Sequence, residues 1–149
     1  MPFVSITRLR VRSWRSLPSF FIQTFRSARQ AKVAPGNLAV SVLRDAHLAF
    51  WTRTVWSEEA AMRSFMLSGA HRGGMPRLVE WCDEAAVAHW TQDAREPPSW
   101  PESHRRLQQQ GRRSKVNHPS GAQLRFEIPE PRTTSGSELK FKWPRERSS

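Results

Sequence analysis

Phe50-Trp51-Thr52-Arg53-Thr54-Val55-Trp56 runs directly into Ser57-Glu58-Glu59-Ala60-Ala61-Met62-Arg63-Ser64-Phe65-Met66, with no residues between them for a linker. β-branched and aromatic side chains crowd the first half, as in a strand packed on both faces. In the second half Ser57 offers an N-cap and Glu58 and Glu59 place two acids in the first turn. Ala61, Met62, Phe65 and Met66 then recur at helical spacing. A strand that turns at once into an amphipathic helix needs neighbouring strands for its backbone and a layer for the helix to cover. The rest of the chain has to supply both.

Upstream, residues 3–11 read as a first strand, β-rich and then alternating. Ser16 caps a helix with Pro18 in its first turn; Leu17, Phe20, Phe21, Phe25 and Ala28 fall on one side, and the helix stops at Ala34-Pro35-Gly36. Residues 38–43 form a second strand, and a turn at Arg44-Asp45-Ala46 makes a hairpin with a third strand over 47–56. The second helix breaks at Ser68-Gly69 and again around Gly73-Gly74-Met75-Pro76, then resumes through Leu78, Val79 and Cys82. Residues 86–91 give a fourth strand. The order β-α-β-β-α-β within residues 1–93 predicts an α+β, ferredoxin-like domain: a four-stranded antiparallel sheet with both helices on one face. Phe50, Trp51, Trp56 and Trp90 supply more apolar surface than one helical layer buries. An uncovered sheet face of that kind predicts a homodimer in which two sheets meet, a dimeric α+β barrel.

Beyond residue 93 the composition changes. Glu96-Pro97-Pro98 breaks the chain, and Ser99-Trp100-Pro101-Glu102 has capping-box spacing, so residues 94–120 form a polar helix, about 100–110, and an extension. Residues 121–149 are rich in Pro, Ser, Gly and charge and read as a flexible tail, with room for one added strand at 124–128.

The 149 residues carry a formal charge of +11, concentrated in residues 1–56 (+8) and 94–149 (+6) against −3 in between. Such a balance raises nucleic acid or an acidic membrane as partner. However, 20 of the 24 basic residues are Arg and none forms a dense block, which weighs against nucleic acid. The single cysteine, Cys82, excludes an internal disulfide and any multi-cysteine metal site, and its helical setting beside Trp81 suits a small core residue. There is no apolar run of the ~18 residues a membrane span needs and no secretory pattern, so the expected location is cytoplasmic. No glycine-rich phosphate loop, His-Glu-x-x-His or Ser-centred elbow is present.

The element order, the Trp51–Trp56 strand and the following Phe65-Met-Leu-Ser-Gly-Ala-His71-Arg72 resemble the dimeric α+β barrel superfamily of antibiotic-biosynthesis monooxygenases. Residues 50–90 and the later Gly111-Arg-Arg-Ser-Lys-Val-Asn-His-Pro-Ser120 are similar to an uncharacterised bacterial family related to spheroidene monooxygenase. The likeness covers roughly residues 1–120. It implies a monooxygenase-like protein that binds a small apolar or polycyclic substrate, an isoprenoid among the classes, in a barrel pocket. A non-catalytic homodimeric ligand-binding module is the alternative. The superfamily includes haem-degrading enzymes and cofactor-free oxygenases, so haem and no cofactor both stay open.

Resemblance makes His71 the position matching a haem-ligating His, against a structural role at a helix end. The first strand offers Ser5 and Thr7 where haem-degrading relatives place Asn, a departure that counts against haem cleavage. His47 and His89 sit on predicted strands, His89 sharing a face with Val87 and Thr91. Pointing inward, they would act as proton donor and substrate anchor; otherwise each is a hydrogen-bonded, half-buried His. Arg53 among aromatics could stack on a planar ligand or bind a carboxylate, or else serve as a surface charge. Trp51, Trp56 and Trp90 are candidate pocket walls, against the core role that tryptophans within elements mostly take.

Overall fold

The structure, a computed structural model, describes residues 1–133 and 137–144, with the backbone alone at positions 70 and 71. β1 spans Phe3–Val11, α1 Leu17–Val33, β2 Asn37–Arg44 and β3 Ala49–Trp56. α2 spans Glu59–Met66, α3 Gly69–Trp81 and β4 Cys82–Thr91. The chain continues through α4 (Trp100–Gln110), β5 (Arg112–Arg113), α5 (Gly121–Arg125) and β6 (Glu138–Lys142). β1 to β4 make the α+β, ferredoxin-like antiparallel core. The sheet has six strands rather than four, in the order β5-β4-β1-β3-β2-β6, because β5 and β6 extend its two edges.

Register fixes what each face carries. Val4, Ile6 and Arg8 of β1 lie beside Val55, Arg53 and Trp51 of β3 and beside Trp90, Ala88 and Ala86 of β4. Because side chains alternate, Ser5, Thr7, Thr52, Thr54, Val87 and His89 share the opposite face. The face with Trp51 is covered by α4: Trp100 and Leu107, with Ile128 beyond α5, join Val4, Ile6, Trp51, Val55 and Trp90 in one buried cluster. The other face is covered by α1, α2 and α3. The helix expected after residue 93 thus packs on the sheet of residues 1–93 and adds Trp100 and Leu107 to its core. The face expected to meet a second copy in a sheet-to-sheet homodimer carries α4 of the same chain.

Local signals explain the elements. Gly36 adopts φ +83° between α1 and β2, and a Cβ there would lie 2.7 Å from Ala61 of α2, so the turn into β2 takes glycine for both reasons. The β2–β3 connection uses two left-handed residues, His47 at φ 59° and Leu48 at φ 64°, which shortens the third strand from the expected 47–56 and leaves His47 exposed in the turn. α3 runs on through Gly73, Gly74 and Pro76 where a break is expected from composition. The reason is tertiary: a Cβ on Gly74 would lie 2.0 Å from Gln23, so the small residue is what lets α3 approach α1.

The C-terminal third is built on the same rules. Ser99 Oγ accepts from the Glu102 amide at 3.2 Å and caps α4. Residues 124–128, expected as a strand, instead begin within α5, capped by Ser120 Oγ on the Gln123 amide. The buried Gln123 side chain satisfies both the amide and the carbonyl of Ala85, substituting for a strand partner at the β4 edge. Glu138–Lys142, within the expected flexible tail, forms β6 on β2. Leu139 and Phe141 alternate with charged residues in that segment, and Phe141 meets Phe25 of α1 edge-on at 5.6 Å, which fixes the strand against the helical layer. Residues 134–136 and 145–149 of that tail lie outside the described residues.

Two outcomes test the shared core. Leu107→Ala should destabilise the whole protein by about 2–5 kcal/mol, the cost of emptying a fully buried leucine site. Urea denaturation followed by far-UV circular dichroism and tryptophan fluorescence should then show one shifted transition. A separate early transition with the main one unchanged would contradict a single core.

Candidate functional site

A cavity of about 300 Å³ lies between the sheet and the helices α1, α2 and α3. Its floor is a band of hydroxyls, Ser5 and Thr7 of β1 with Thr52 and Thr54 of β3, placed side by side by the register of the two strands. The walls are largely apolar: Met62 and Phe65 of α2, Met75 and Leu78 of α3, Val42 of β2 and Val87 of β4, with Gln23, Thr24 and Ser27 of α1 among them. A few polar groups in a mostly apolar space orient a ligand while the apolar walls supply its binding energy.

His89 lines the cavity from β4. Its ring packs against Phe3 at 5.4 Å between centroids, and its Nε2 is sealed from water with no hydrogen-bond partner among the described residues. Burial, and after it the charge of Arg112, push the imidazole below its ordinary pKa; Glu59 opposes this and Arg63 adds to it. The side chain is therefore neutral at neutral pH, with one ring nitrogen able to accept a proton. A buried polar atom left unpaired is unfavourable by the desolvation it has undergone. A ligand that reaches it removes that penalty.

Residues 112–116 close one side of the cavity. β5 pairs Arg112 with Val87 and Arg113 with Ala86, and the next residues are tied down by the Ser114 amide to Ala85 O at 2.9 Å and the Asn117 amide to Val79 O at 3.0 Å. Arg112, Ser114, Lys115 and Val116 thereby reach the cavity wall. Sequence reasoning does not single out this run as part of a site. The signal that could have placed it is the extended Arg-Arg-Ser pattern directly after the helix-ending Gly111.

The other expected site residues go elsewhere. Trp51, Arg53 and Trp90 lie on the far face of the sheet, under α4. Trp51 donates its indole N–H to Asp45 at 3.0 Å, and Arg53 donates to Ser41, Pro98 and Glu138. They belong to the core, not to a pocket. Trp56 is on the cavity side but packs behind its wall, stacked on Phe65 at 5.2 Å and bonded to Thr54 at 2.9 Å. His47 is in the exposed β2–β3 turn and does not line the cavity with His89, because the turn runs on through Leu48 instead of ending at Ala46. His71 falls within α3, and its side chain lies outside the described residues. Cys82 is fully buried, and desolvation followed by the charge of Asp83 pushes its thiol up to about 12, which makes it inert core.

Among the described residues no cluster of three or more His, Cys, Asp or Glu could hold a metal, and no helix is long and apolar enough to cross a membrane. A haem fits the cavity poorly. Its volume lies at the bottom of the range of ligand sites, about 300–1,000 Å³, and suits a few fused rings or a short chain rather than a porphyrin.

Solved structures with this architecture are the antibiotic biosynthesis monooxygenases and their relatives. A variant of SnoaB, described as a cofactor-independent oxygenase from Streptomyces nogalater, is 16% identical with a TM-score of 0.54, covering 62% of this chain and 94% of its own. Rv0793 from Mycobacterium tuberculosis is 11% identical with a TM-score of 0.58, covering 63% and 97%. A protein described as an antibiotic biosynthesis monooxygenase is 12% identical with a TM-score of 0.56, covering 62% and 99%. At these identities the likeness establishes the fold alone. The chain itself belongs to the family described as a domain of unknown function, DUF3291, which matches residues 18–127. No curated protein matches the sequence.

The lowered pKa of His89 has a measurable consequence. As pH falls, the unfolded chain takes up the proton first, so the unfolded state binds more protons and stability declines. The contribution is fully present above the unfolded value of about 6.5 and is lost below it. His89→Gln should therefore lose less stability between about pH 6.5 and 5 than the unsubstituted protein in urea titrations. Equal acid slopes in the two proteins would contradict a desolvated, neutral His89.

Proposed function

We propose that the protein is monooxygenase-like and binds a small apolar or polycyclic ligand, an isoprenoid among the candidates, in the cavity between its sheet and helices. The observation that carries this reading is the unpartnered, buried Nε2 of His89 in a cavity with apolar walls and a hydroxyl floor. Neutral His89 accepts a proton from an acidic C–H or O–H of the ligand, the general-base role for which geometry and pKa both count. The positive field of Arg112 favours the anion so formed. Dioxygen is the oxidant: a CH₂ group becomes a carbonyl, one oxygen atom enters the ligand, and the other leaves as water with the two hydrogens. A cofactor-independent oxygenase among the fold neighbours supports chemistry of this kind without a bound cofactor. The cavity is built by one chain, so a second copy is not required for it.

A second reading, a binding module without chemistry, is favoured by the cavity's titratable groups. Among the described lining residues His89 is the only His, Cys, Asp or Glu. Oxygen uptake separates the two readings. With an electron-rich ligand that binds, such as a polycyclic phenol, the oxygenase reading expects oxygen consumption that His89→Ala reduces by about 10²–10⁴-fold, the usual share of a general base. Val87→Phe, which fills the cavity from β4, should abolish ligand binding by calorimetry while leaving the circular dichroism spectrum unchanged. Binding without oxygen uptake supports the binding module; binding undiminished in Val87→Phe overturns both.

A further inference from the structure

We infer that the ligand of this cavity is an apolar acid, its carboxylate held at the mouth by Arg112 and Lys115 and its body lying along the apolar walls past His89. The inference rests on the cavity reading above and adds the charge of the ligand to it.

Electrostatics carry the argument. Among the described residues that line the cavity there is no Asp or Glu, while Arg112 and Lys115 both reach its wall. Neither cation has a hydrogen bond or ion pair among the described residues, whereas the adjacent Arg113 is spent on Leu124 O at 2.9 Å. The acid that acts on His89, Glu59, is already engaged by Arg63 at 2.8 Å and offers no neutralising charge to the mouth. The two free cations are not on a wandering loop. The β5 pairing on one side and the Ser114 and Asn117 amide bonds on the other hold the backbone that carries them against β4 and α3.

Chemistry then selects the ligand class. A planar guanidinium with unused donors matches a carboxylate bidentately, and a lysine beside it adds a point charge. The remaining wall is Met62, Phe65, Met75, Leu78 and Val87, which has nothing to offer a second charge. A ligand with one anionic end and an apolar body satisfies both halves of the site. A volume of about 300 Å³ limits that body to a short chain or a few fused rings. With the head at Arg112 and Lys115, His89 stays unpaired by the carboxylate and faces the body, where the proposed proton transfer takes place.

Isothermal calorimetry on the full chain with matched pairs tests this: decanoate against decanol, and 2-naphthoate against 2-naphthalenemethanol. The acid of each pair should bind about tenfold or more tighter, the value of a charge-assisted contact. That preference should shrink with added salt and disappear in Arg112→Ala/Lys115→Ala, two exposed positions whose truncation leaves the core intact. Equal binding of acid and alcohol, both blocked by Val87→Phe, overturns the inference and leaves the cavity reading standing. An acid preference that survives the double substitution also overturns it, because the head group then sits elsewhere. If no member of either pair binds, the cavity reading fails and the inference with it.

Discussion

The guanidinium of Arg53 is the constraint on which the C-terminal third depends. It projects from the middle of the sheet, 4% exposed, and a charge so placed is tolerated only when it is paired and hydrogen-bonded. Its Nε donates to Ser41 at 2.8 Å, one terminal nitrogen to Pro98 O at 2.7 Å, and the other to Glu138. Trp100 covers one side of the group at 4.1 Å and Trp143 lies at 5.0 Å. Desolvation lowers its pKa and Glu138 raises it again, the balance of a buried charge held by its counterion. The partners come from β2, from the segment before α4, from α4 itself, from β6 and from the residue after it. A single side chain thus requires that the whole extension return to one place on the sheet. The covering of that face by α4 and the pairing of β6 with β2 follow together.

The sheet divides labour between its faces, and a period of two is enough to do it. In β3, Trp51, Arg53 and Val55 point toward α4, while Thr52 and Thr54 point toward the helices. The large residues close one side as solid core and the small hydroxyls on the other leave space. Had the register slipped by one residue, tryptophans would fill the cavity and threonines would face α4. The cavity is therefore a product of the same alternation that makes the core. It needs no insertion of its own beyond residues 112–116, which close its edge.

How far this could be read from the sequence follows from what kind of signal each element carries. β1, α1 and the pairing of β2 with β3 rest on local patterning, so they are legible; the edges are less so, since α2 is preceded by Glu58 rather than capped by Ser57 and the hairpin turn extends to Leu48. α3 is not, because Gly73-Gly74-Met75-Pro76 looks like a break until Gln23 is seen packed on Gly74. β6 is hidden in five residues whose alternation is too short to stand out and whose partner lies about a hundred positions away. In the site, His89 is legible as a strand residue in phase with Val87. The conspicuous tryptophans mislead: Trp51 and Trp90 attract attention by size, and size is what consigns them to the filled face. Ser5, Thr7, Thr52 and Thr54 look like ordinary strand formers, and only the register shows that they make one floor. Arg112 and Lys115 are distinguished from the other basic residues by position alone.

The extension that Arg53 holds in place therefore does two things at once. Trp100 and Leu107 replace water over one sheet face, and a few residues later the same chain rounds the β4 edge and places Arg112 and Lys115 on the cavity of the other face. Gln123 then fastens the return, bonding Ala85 and Ser114 on either side of the β4–β5 edge. Any ligand held by residues 112–116 would for that reason link its binding to the docking of this extension. A ligand that engages residues 112–116 binds only the docked form, and by mass action any such ligand stabilises the docked state by RT ln(1 + [L]/Kd). The converse holds by reciprocity: whatever loosens α4 from the Trp51 face weakens the cavity on the opposite side of the sheet. The solid face and the hollow face are coupled through the chain that passes between them.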